Sequence, residues 1–349
     1  MGILHRFYAR RAAAVWETET RLMRRLGLVR PPSAVQWMAT TACDLACPHC
    51  YSHAGRAGRG ELSRDEACGL IVDELVKLDR PMLVIAGGEP LLRRDLRGIV
   101  AYAGERGVNW SLHTHGGHVA RHEAMFREHP PKMAAVSLDG PREYHDRFRG
   151  REGSFDAALR AVSLLKATGC GEVVIGTTVH RQNADLLPRM IGPVLESGAD
   201  SWGLHLVAPE GRGGRTAELM PHPEQLRRVA GLARRMRQMM HVEMDNEWGS
   251  AGEADPFYRD HPFLCGAGRF TCVVSATGLV MPCTTTDAAE AEGDVRTQPL
   301  SRIWQRGFGR FRRGGCGSCS DGSECWLQAR HGRSVRRHAF TPLTIGGAA

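Results

Sequence analysis

The sequence predicts an α/β fold: a partial, TIM-like (β/α)6 barrel followed by a small cysteine-rich module. Strand-like and helix-like segments alternate along most of the chain, and six cysteines crowd its last third. The strand-like segments are short apolar, β-branched or aromatic runs at residues 34–40, 82–86, 108–113, 133–138, 173–179 and 201–207. Alternation of this kind builds βαβ units and a parallel sheet with right-handed crossovers. Six units are too few to close an eight-stranded barrel, so an open one is expected.

Five connecting segments carry apolar residues at positions i, i+3 and i+4, the spacing of an amphipathic helix. They span residues 62–79, 91–106, 119–128, 155–168 and 186–197. Ser63 followed by Glu66 predicts a capping box at the start of the first helix. A further helix, rich in arginine and methionine, is predicted over residues 221–242, and residues 245–262 look irregular.

These patterns divide the chain into four parts. They are an amphipathic extension (1–33), the partial barrel (34–244), the cysteine-rich module (245–335) and a flexible tail (336–349). Within the module, the runs 270–275 and 279–282 flank Ala276-Thr277-Gly278, which predicts a β-hairpin.

The composition is that of a soluble globular protein, with 42% hydrophobic and 24% charged residues. No apolar run approaches the ~20 residues that span a bilayer, and the N-terminal stretch lacks the apolar core of a secretory signal. A cytoplasmic protein is therefore expected, and its eleven cysteines indicate metal ligands instead of disulfides. The net charge of +8 is spread over many arginines, so no nucleic-acid partner is expected. These arginines either lie on a solvated surface or attract an acidic partner.

Cys43, Cys47 and Cys50 stand at C-x3-C-x2-C directly after the first predicted strand. Cysteine thiolates are the usual ligands of iron–sulfur clusters, and four of them fill a [4Fe–4S] cube. Three thiolates leave one iron open to another ligand. A structural zinc site completed by His49 or His53 is the alternative, which the C-x3-C spacing disfavours.

Every other notable motif also follows a predicted strand, where such barrels place their chemistry. Gly87-Gly88-Glu89-Pro90 follows the second strand, and residues 113–118, 137–141, 180–183 and 209–215 follow the next four. His115 is a candidate for an acid/base or lining role, with a second metal site or plain packing as alternatives. Asp139 is a second catalytic candidate, although Ser137 and Asp139 could instead belong to an ordinary turn. The arginines of loop 210–215 either lie on the surface or hold a carboxylate or phosphate.

The remaining cysteines fall into one group and two single residues. Cys68 and Cys170 are expected to be small buried side chains. The group predicts metal sites, either iron–sulfur clusters or a zinc ribbon, and it consists of Cys265, Cys272, Cys283, Cys316, Cys319 and Cys325.

The three-cysteine motif, together with Gly-Gly-Glu-Pro after the second strand, resembles the radical S-adenosylmethionine (SAM) enzymes over residues 34–207. The resemblance implies a [4Fe–4S] cluster on Cys43, Cys47 and Cys50, whose open iron binds SAM. It implies reductive cleavage of SAM to a 5′-deoxyadenosyl radical that abstracts hydrogen from a substrate. The residues that it assigns to SAM are Gly87, Gly88, Glu89, Pro90 and Ser137. Relatives often have Thr-Asn-Gly where this chain has Thr114-His115-Gly116.

The C-terminal cysteines resemble the SPASM extension, which holds two auxiliary [4Fe–4S] clusters; the shorter twitch extension holds one. By position, Cys265, Cys272 and Cys283 serve one cluster. The other cluster takes Cys316, Cys319 and Cys325, so each is one cysteine short. Asp321, His331 and His338 are possible substitutes, because position 329 is alanine and no cysteine follows Cys325.

The SPASM resemblance implies modification of a ribosomally made peptide or protein by cross-linking, thioether formation, epimerisation or oxidation. Modification of a tetrapyrrole, as in haem-pathway relatives, or of another small metabolite is the enzymatic alternative. A non-catalytic iron–sulfur or zinc scaffold is a third possibility, although it would not need Gly-Gly-Glu-Pro. The expected partners are a reductant such as flavodoxin or ferredoxin, and a separate protein that presents the peptide.

Overall fold

The computed structural model describes Leu22 and residues 29–208, 211–212, 217–244, 266–284, 286 and 288–314. Its strands are β1 (Ala34–Thr40), β2 (Met82–Gly87), β3 (Trp110–Thr114), β4 (Met133–Ser137), β5 (Glu172–Val179), β6 (Ser201–Leu206), β7 (His241–Met244), β8 (Thr271–Val274), β9 (Leu279–Met281) and β10 (Gly293–Asp294). They form one sheet in the order β10-β9-β8-β1-β2-β3-β4-β5-β6-β7.

The six predicted strands are confirmed as β1 to β6, each parallel to the next. The sheet is an open row, as expected of a partial barrel. A seventh parallel strand, β7, pairs with β6 and was not predicted. Residues 241–244 alternate between exposed and buried, which is a strand pattern, so the helix predicted to reach residue 242 ends at Met236 instead.

Helices connect the strands. They are α1 (α-helical Arg64–Glu66 and Asp73–Lys77 around π-helical Ala67–Val72), α2 (Leu96–Glu105), α3 (Glu123–Glu128), α4 (Arg142–Arg149), α5 (Ser154–Ala167), α6 (Ile191–Glu196), α7 (Pro223–Met236), α8 (Leu300–Arg306) and α9 (Gly309–Gly314). The predicted capping box of α1 is confirmed, because Ser63 Oγ accepts from the Glu66 amide while Glu66 Oε2 accepts from the Ser63 amide. In the described part of the chain, no helix is both long and apolar enough to cross a membrane.

The core lies between the sheet and these helices. Val35, Trp37 and Ala39 of β1 are fully buried against residues of α1 and α2, such as Leu75 and Ile99. On the opposite face of β1, Gln36 and Met38 are only half-buried. The alternation of side chains along β1 therefore gives this strand a fully buried face and a face that is only partly buried.

The predicted hairpin is confirmed as antiparallel β8 and β9, with Gly278 in its turn at φ 103°. Strand β8 also runs parallel to β1, from Ala34 opposite Thr271 to Trp37 opposite Val274. The described part of the C-terminal module thus extends the barrel sheet. The predicted tail, most of the predicted N-terminal extension, and residues 245–265, 285, 287 and 315–335 of the module lie outside the described residues.

Candidate active site

The cysteine-bearing loop begins where β1 ends and is closed at its base by main-chain hydrogen bonds. The amide of Cys43 donates to the carbonyl of Gly55 (2.8 Å), and the amide of Gly55 donates to that of Thr41 (2.8 Å). Inside the loop, the amide of Cys50 donates to the carbonyl of Cys47 (3.2 Å). The fold therefore gathers the three predicted ligand residues into one compact loop at the carboxyl end of the first strand.

The thiols of this loop suit a soft metal. Burial raises the pKa of the Cys43 thiol to about 11; the Leu45 amide opposes the shift, and Glu89 adds to it. Burial also raises the pKa of Cys47, against the opposing charge of Arg149. Thiolates favour zinc and iron–sulfur clusters, and binding of either displaces the thiol protons. Clustered thiols beside a buried guanidinium therefore fit an anionic iron–sulfur cluster.

Arg212, in the loop after β6, is hydrogen-bonded to the cysteine loop through its side chain and its main chain. Its side chain donates from Nε to the carbonyl of Cys47 (2.9 Å) and from Nη1 to that of Ala54 (2.7 Å). Its amide donates to the carbonyl of Cys50 (2.9 Å). A Cβ on Gly211 would lie 2.3 Å from that carbonyl oxygen, so the approach requires glycine. Nε and Nη1 of Arg212 are thus engaged with the cysteine loop, and a role of the loop arginines in holding a carboxylate or phosphate stays a prediction.

Replacing Arg212 by methionine keeps a long side chain but removes its hydrogen-bond donors. We expect Arg212→Met to lower the affinity for iron by about 10-fold or more, because the carbonyls that fix the thiols lose their partner. Iron and sulfide assays after anaerobic reconstitution measure this. Arg228→Met, which removes an exposed partner of Asp185, is the matched control and should load like the wild type. Equal loading of the two variants would contradict the role given to Arg212.

Gly87 and Gly88 pack closely against the backbone at the start of the cysteine loop. A Cβ on Gly87 would lie 2.4 Å from the carbonyl oxygen of Thr40, and one on Gly88 would lie 2.1 Å from that of Ala42. The amides of Gly88 and Glu89 donate to the same two carbonyls, at 2.8 and 2.7 Å respectively. The two loops that the sequence singles out are therefore in direct backbone contact.

Gly88→Ala tests this contact. We expect it to lower the free energy of unfolding by about 2 kcal/mol or more, because the new Cβ meets a backbone carbonyl that moves only with the whole loop. Gly104→Ala in α2, where nothing lies within 4 Å of an added Cβ, should be neutral or stabilise by up to about 1 kcal/mol. Urea unfolding compares the two. A Gly88→Ala protein as stable as the wild type would show that the loops tolerate separation.

The carboxylate of Glu89 is fully buried and links its own loop to the end of β3. It accepts hydrogen bonds from Thr114 Oγ1 (2.9 Å to each oxygen), the His115 amide (3.0 Å) and the Leu91 amide (3.1 Å). Both oxygens of the Glu89 carboxylate are therefore already engaged within the protein.

His115 and His118, after β3, both hold Asp44, which directly follows Cys43. His115 Nε2 lies 3.0 Å from Asp44 Oδ1, and His118 Nε2 lies 2.9 Å from Oδ2, to which Arg151 also donates (2.5 Å). Partial burial alone would raise the pKa of Asp44, but Arg151 and His115 outweigh it and hold that pKa well below its usual range. Cys43, Asp44 and His115 place ligand atoms within 4.8 Å of one another. The guanidinium on the same carboxylate makes this an ion-pair network and disfavours a mononuclear metal.

Asp139, after β4, lies in a buried ion pair with Arg149. Arg149 Nη2 and Nε lie 2.6 and 2.8 Å from Asp139 Oδ2, and the Thr178 amide donates to Oδ1 (3.0 Å). Burial alone would raise the pKa of Asp139, but the guanidinium holds it well below its usual range. His49 Nε2 lies 3.7 Å from Oδ2, so the pair supports the cysteine loop.

Ser137 is half-buried at the end of β4, opposite Gly176 of β5. Its predicted contact with the SAM ribose stays a prediction. The predicted catalytic roles of His115 and Asp139 also stay predictions; the structure shows His115 hydrogen-bonded to Asp44 and Asp139 in an ion pair with Arg149.

Comparison with known proteins decides the family. The family model of the radical SAM superfamily matches residues 37–191, and that of SPASM, an iron–sulfur cluster-binding domain, matches residues 265–326. The AdoMet-dependent heme synthase of Oleidesulfovibrio alaskensis is 30% identical over 318 residues, which cover 83% of this chain and 81% of that protein. The chain belongs to the radical SAM superfamily. It is therefore an enzyme that uses SAM and [4Fe–4S] clusters, and the predicted resemblance is confirmed.

Two further relatives of this radical SAM enzyme bear on its fold and function. Mycofactocin maturase MftC of Mycolicibacterium smegmatis is 31% identical over 335 residues, covering 90% of this chain and 81% of that one. The crystal structure of Streptococcus suis SuiB bound to S-adenosylmethionine superposes with a TM-score of 0.68 at 14% identity, covering 88% of this chain and 76% of SuiB. The SuiB likeness confirms the partial barrel.

Sequence reasoning missed α4, which supplies this radical SAM enzyme with an aromatic stack against the cysteine loop. The rings of His49 and Phe148 stack with centroids 5.1 Å apart, and those of Phe148 and His180 stack at 4.4 Å. Burial lowers the pKa of His49 to about 3 and that of His180 to about 4, so both imidazoles are uncharged at neutral pH. The i, i+4 pair Tyr144 and Phe148 is the signal that could have revealed the helix.

A cleft of about 300 Å³ opens beside this stack, next to the cysteine loop. Its walls combine apolar and aromatic side chains with charged and amide groups at the edge. They are Pro48, Tyr144, Arg147, Phe148, Gln182, Glu218 and Leu219.

Two of the six C-terminal cysteines lie in the described part of this radical SAM enzyme. Cys272 is buried in β8, and burial raises the pKa of its thiol to about 12. Cys283 follows β9 and is half-buried. Cys265, Cys316, Cys319 and Cys325 lie outside the described residues, as do the possible substitutes Asp321, His331 and His338.

Proposed function

We propose that this radical SAM enzyme modifies a ribosomally made peptide or protein by abstracting hydrogen from one of its carbon atoms. The observation that carries the proposal is the direct contact between the cysteine loop and the Gly-Gly-Glu-Pro loop at the ends of β1 and β2. When bound there, SAM and a reduced cluster supply the 5′-deoxyadenosyl radical. The surrounding residues hold SAM in place and admit the substrate.

In this proposal, Cys43, Cys47 and Cys50 hold three irons of the cluster. The backbone of residues 87–90 receives the methionine part of SAM, since the Glu89 carboxylate is already occupied. Ser137 faces the ribose. Arg212 holds the carbonyls of the cysteine loop, which keeps the three thiols in a fixed arrangement.

The cleft beside the cysteine loop supports a peptide substrate. Its ~300 Å³ lies at the lower end of the range for ligand sites, about 300–1,000 Å³, which suits one amino-acid side chain better than a macrocycle. Phe148 and Leu219 offer apolar contact, while Arg147 and Glu218 at the edge suit the polar main chain of a peptide. The likeness to a mycofactocin maturase and the SPASM match support the same class.

A tetrapyrrole is the second candidate substrate. Three AdoMet-dependent heme synthases are 27–30% identical to this chain. The 46 lysines and arginines against 38 acidic residues would attract a substrate rich in carboxylates.

For the C-terminal module, residues 245–335, the proposal includes auxiliary clusters. Cys265, Cys272 and Cys283 would hold one, and Cys316, Cys319 and Cys325 a second. Iron counts on reconstituted enzyme test this, since about 12 irons per chain mean three cubes and about 8 mean two. A flavodoxin or ferredoxin would supply the electron, and a separate protein would present the peptide.

The substrate is tested with anaerobically reconstituted enzyme, SAM and dithionite in two parallel reactions. One contains synthetic peptides encoded by short genes beside this one, and the other contains Fe-coproporphyrin III, the named product of one relative. We expect 5′-deoxyadenosine to form together with a mass change in a peptide. A mass change in the tetrapyrrole alone would favour the second candidate, and wild-type enzyme that forms no 5′-deoxyadenosine would contradict both.

A further inference from the structure

The imidazole of His115 lies between the two loops of the active site and contacts an acidic residue from each. Its Nε2 is 3.0 Å from Oδ1 of Asp44, next to Cys43, and 3.3 Å from Oε2 of Glu89 in the Gly-Gly-Glu-Pro loop. Its main-chain amide donates to the same Oε2 (3.0 Å). One side chain on β3 therefore touches both loops.

The ring of His115 is held in one orientation. The Gly117 amide donates to Nδ1 (3.1 Å), so Nδ1 is the acceptor and Nε2 carries the hydrogen that is donated to Asp44. A Cβ on Gly117 would lie only 2.8 Å from Cε1 of the ring, which shows how closely the turn packs against it. The contact to both loops is thus a fixed feature of the turn after β3.

The neighbouring histidine lacks this double contact. His118 Nε2 lies 2.9 Å from Asp44 Oδ2, and among the described residues it has no ion pair with Glu89. Arg151 holds the carboxylate and the carbonyl oxygen of Asp44, the latter at 3.1 Å, and it also lies on the cysteine-loop side only. His115 and His118 therefore differ in one respect, the link to the Gly-Gly-Glu-Pro loop.

We propose that His115 is a positioning residue that couples the SAM-binding loop to the cysteine loop. This inference rests on the proposed roles of Cys43, Cys47, Cys50 and residues 87–90. Through Asp44 and Glu89, His115 fixes the distance between the two loops, so that SAM bound to the backbone of one reaches the open iron held by the other. Losing this link weakens SAM binding more than it weakens cluster retention.

The test compares His115→Gln with His118→Gln in reconstituted full-length enzyme. We expect His115→Gln to raise the Kd for SAM about 10-fold or more, and to remove the change that SAM causes in the electron paramagnetic resonance spectrum of the reduced cluster. Iron content should stay near that of the wild type. His118→Gln should raise the Kd for SAM by clearly less than His115→Gln does, because it loosens Asp44 but leaves the contact of His115 with Glu89 in place. Equal effects of both variants on SAM binding, or no effect of either, would overturn the proposal.

Asp44→Asn separates positioning from direct contact with SAM. Asp44→Asn weakens the hydrogen bond between His115 and the cysteine loop but keeps the His115 side chain. We therefore expect the Kd for SAM to rise in this variant too. An unchanged Kd in Asp44→Asn, together with a raised one in His115→Gln, would mean that His115 touches SAM itself and would overturn the positioning role. Asp44→Asn also keeps the question answerable if His115→Gln does not fold. Wild-type enzyme that binds neither iron nor SAM would instead contradict the proposed function.

Discussion

Replacing Cys43 by alanine is expected to abolish formation of 5′-deoxyadenosine and to remove about four irons per chain, the content of one cube. A cluster held by three thiolates cannot lose one and keep its geometry, and the neighbouring backbone offers no substitute of the same softness. Anaerobic reconstitution, iron and sulfide analysis, and chromatographic assay of 5′-deoxyadenosine measure the effect.

Cys68→Ala is the matched control for this variant. Cys68 is also a free cysteine, but it is buried in the π-helical part of α1 and belongs to neither loop of the active site. Its iron content and its rate should equal those of the wild type. A Cys43→Ala enzyme that keeps its full iron content and activity would show that the ligands lie elsewhere in the chain.

Replacing Arg149 by methionine is expected to lower the free energy of unfolding by about 3–5 kcal/mol at neutral pH, because it leaves the Asp139 carboxylate buried and unpaired. Arg149 also acts electrostatically on Cys47, so iron loading should fall as well. Urea unfolding of the reduced apoprotein measures the stability. Arg228→Met, which breaks an exposed pair with Asp185, should cost no more than about 1 kcal/mol.

The destabilisation caused by Arg149→Met should depend on pH, in a direction that follows from the pKa of Asp139. In the wild type, the folded pKa of Asp139 lies below its unfolded value of 3.8. The pair therefore contributes its full stability above that value and loses it as the pH falls through the folded pKa. In Arg149→Met, the buried carboxyl should have a raised pKa, so the deficit against the wild type should shrink as the pH is lowered from 7 towards 4. A deficit independent of pH would show that lost packing, not the unpaired charge, causes the destabilisation.

The strands and the loops that follow them were predictable because the sequence patterns that indicate them are local. The apolar runs of β1 to β6 and the motifs that follow them are contiguous in sequence, and parallel strands bring their carboxyl ends to one edge. Helix α4 was missed because Asp139-Gly140-Pro141 indicates a turn, and because the segment that follows it is mostly charged. Residues 237–242 were misassigned to a helix because a strongly amphipathic helix precedes the short alternating pattern of β7.

The contacts that build the site could not be predicted from sequence, because they join distant residues. Arg212 binds a carbonyl 165 positions away, and Arg151 binds Asp44 across 107 positions. Arg212 lies in a loop that the sequence singles out, but nothing there identifies its partner, and nothing near Arg151 distinguishes it from the many arginines on the surface. Likewise, the pairing of Asp139 with Arg149 depends on α4, and thus on a helix whose existence the turn signal concealed.

The pairing of β1 with β8 has a consequence for how the protein is made. The first strand of the barrel gains its second neighbour only from a segment 237 positions further along the chain, as the contact of Ser33 with Phe270 shows. Until that segment leaves the ribosome, one edge of β1 is unpaired, immediately before the loop that carries Cys43. Unpaired edges of apolar strands promote association between chains. Truncation before residue 271 should therefore yield aggregates instead of a smaller soluble barrel.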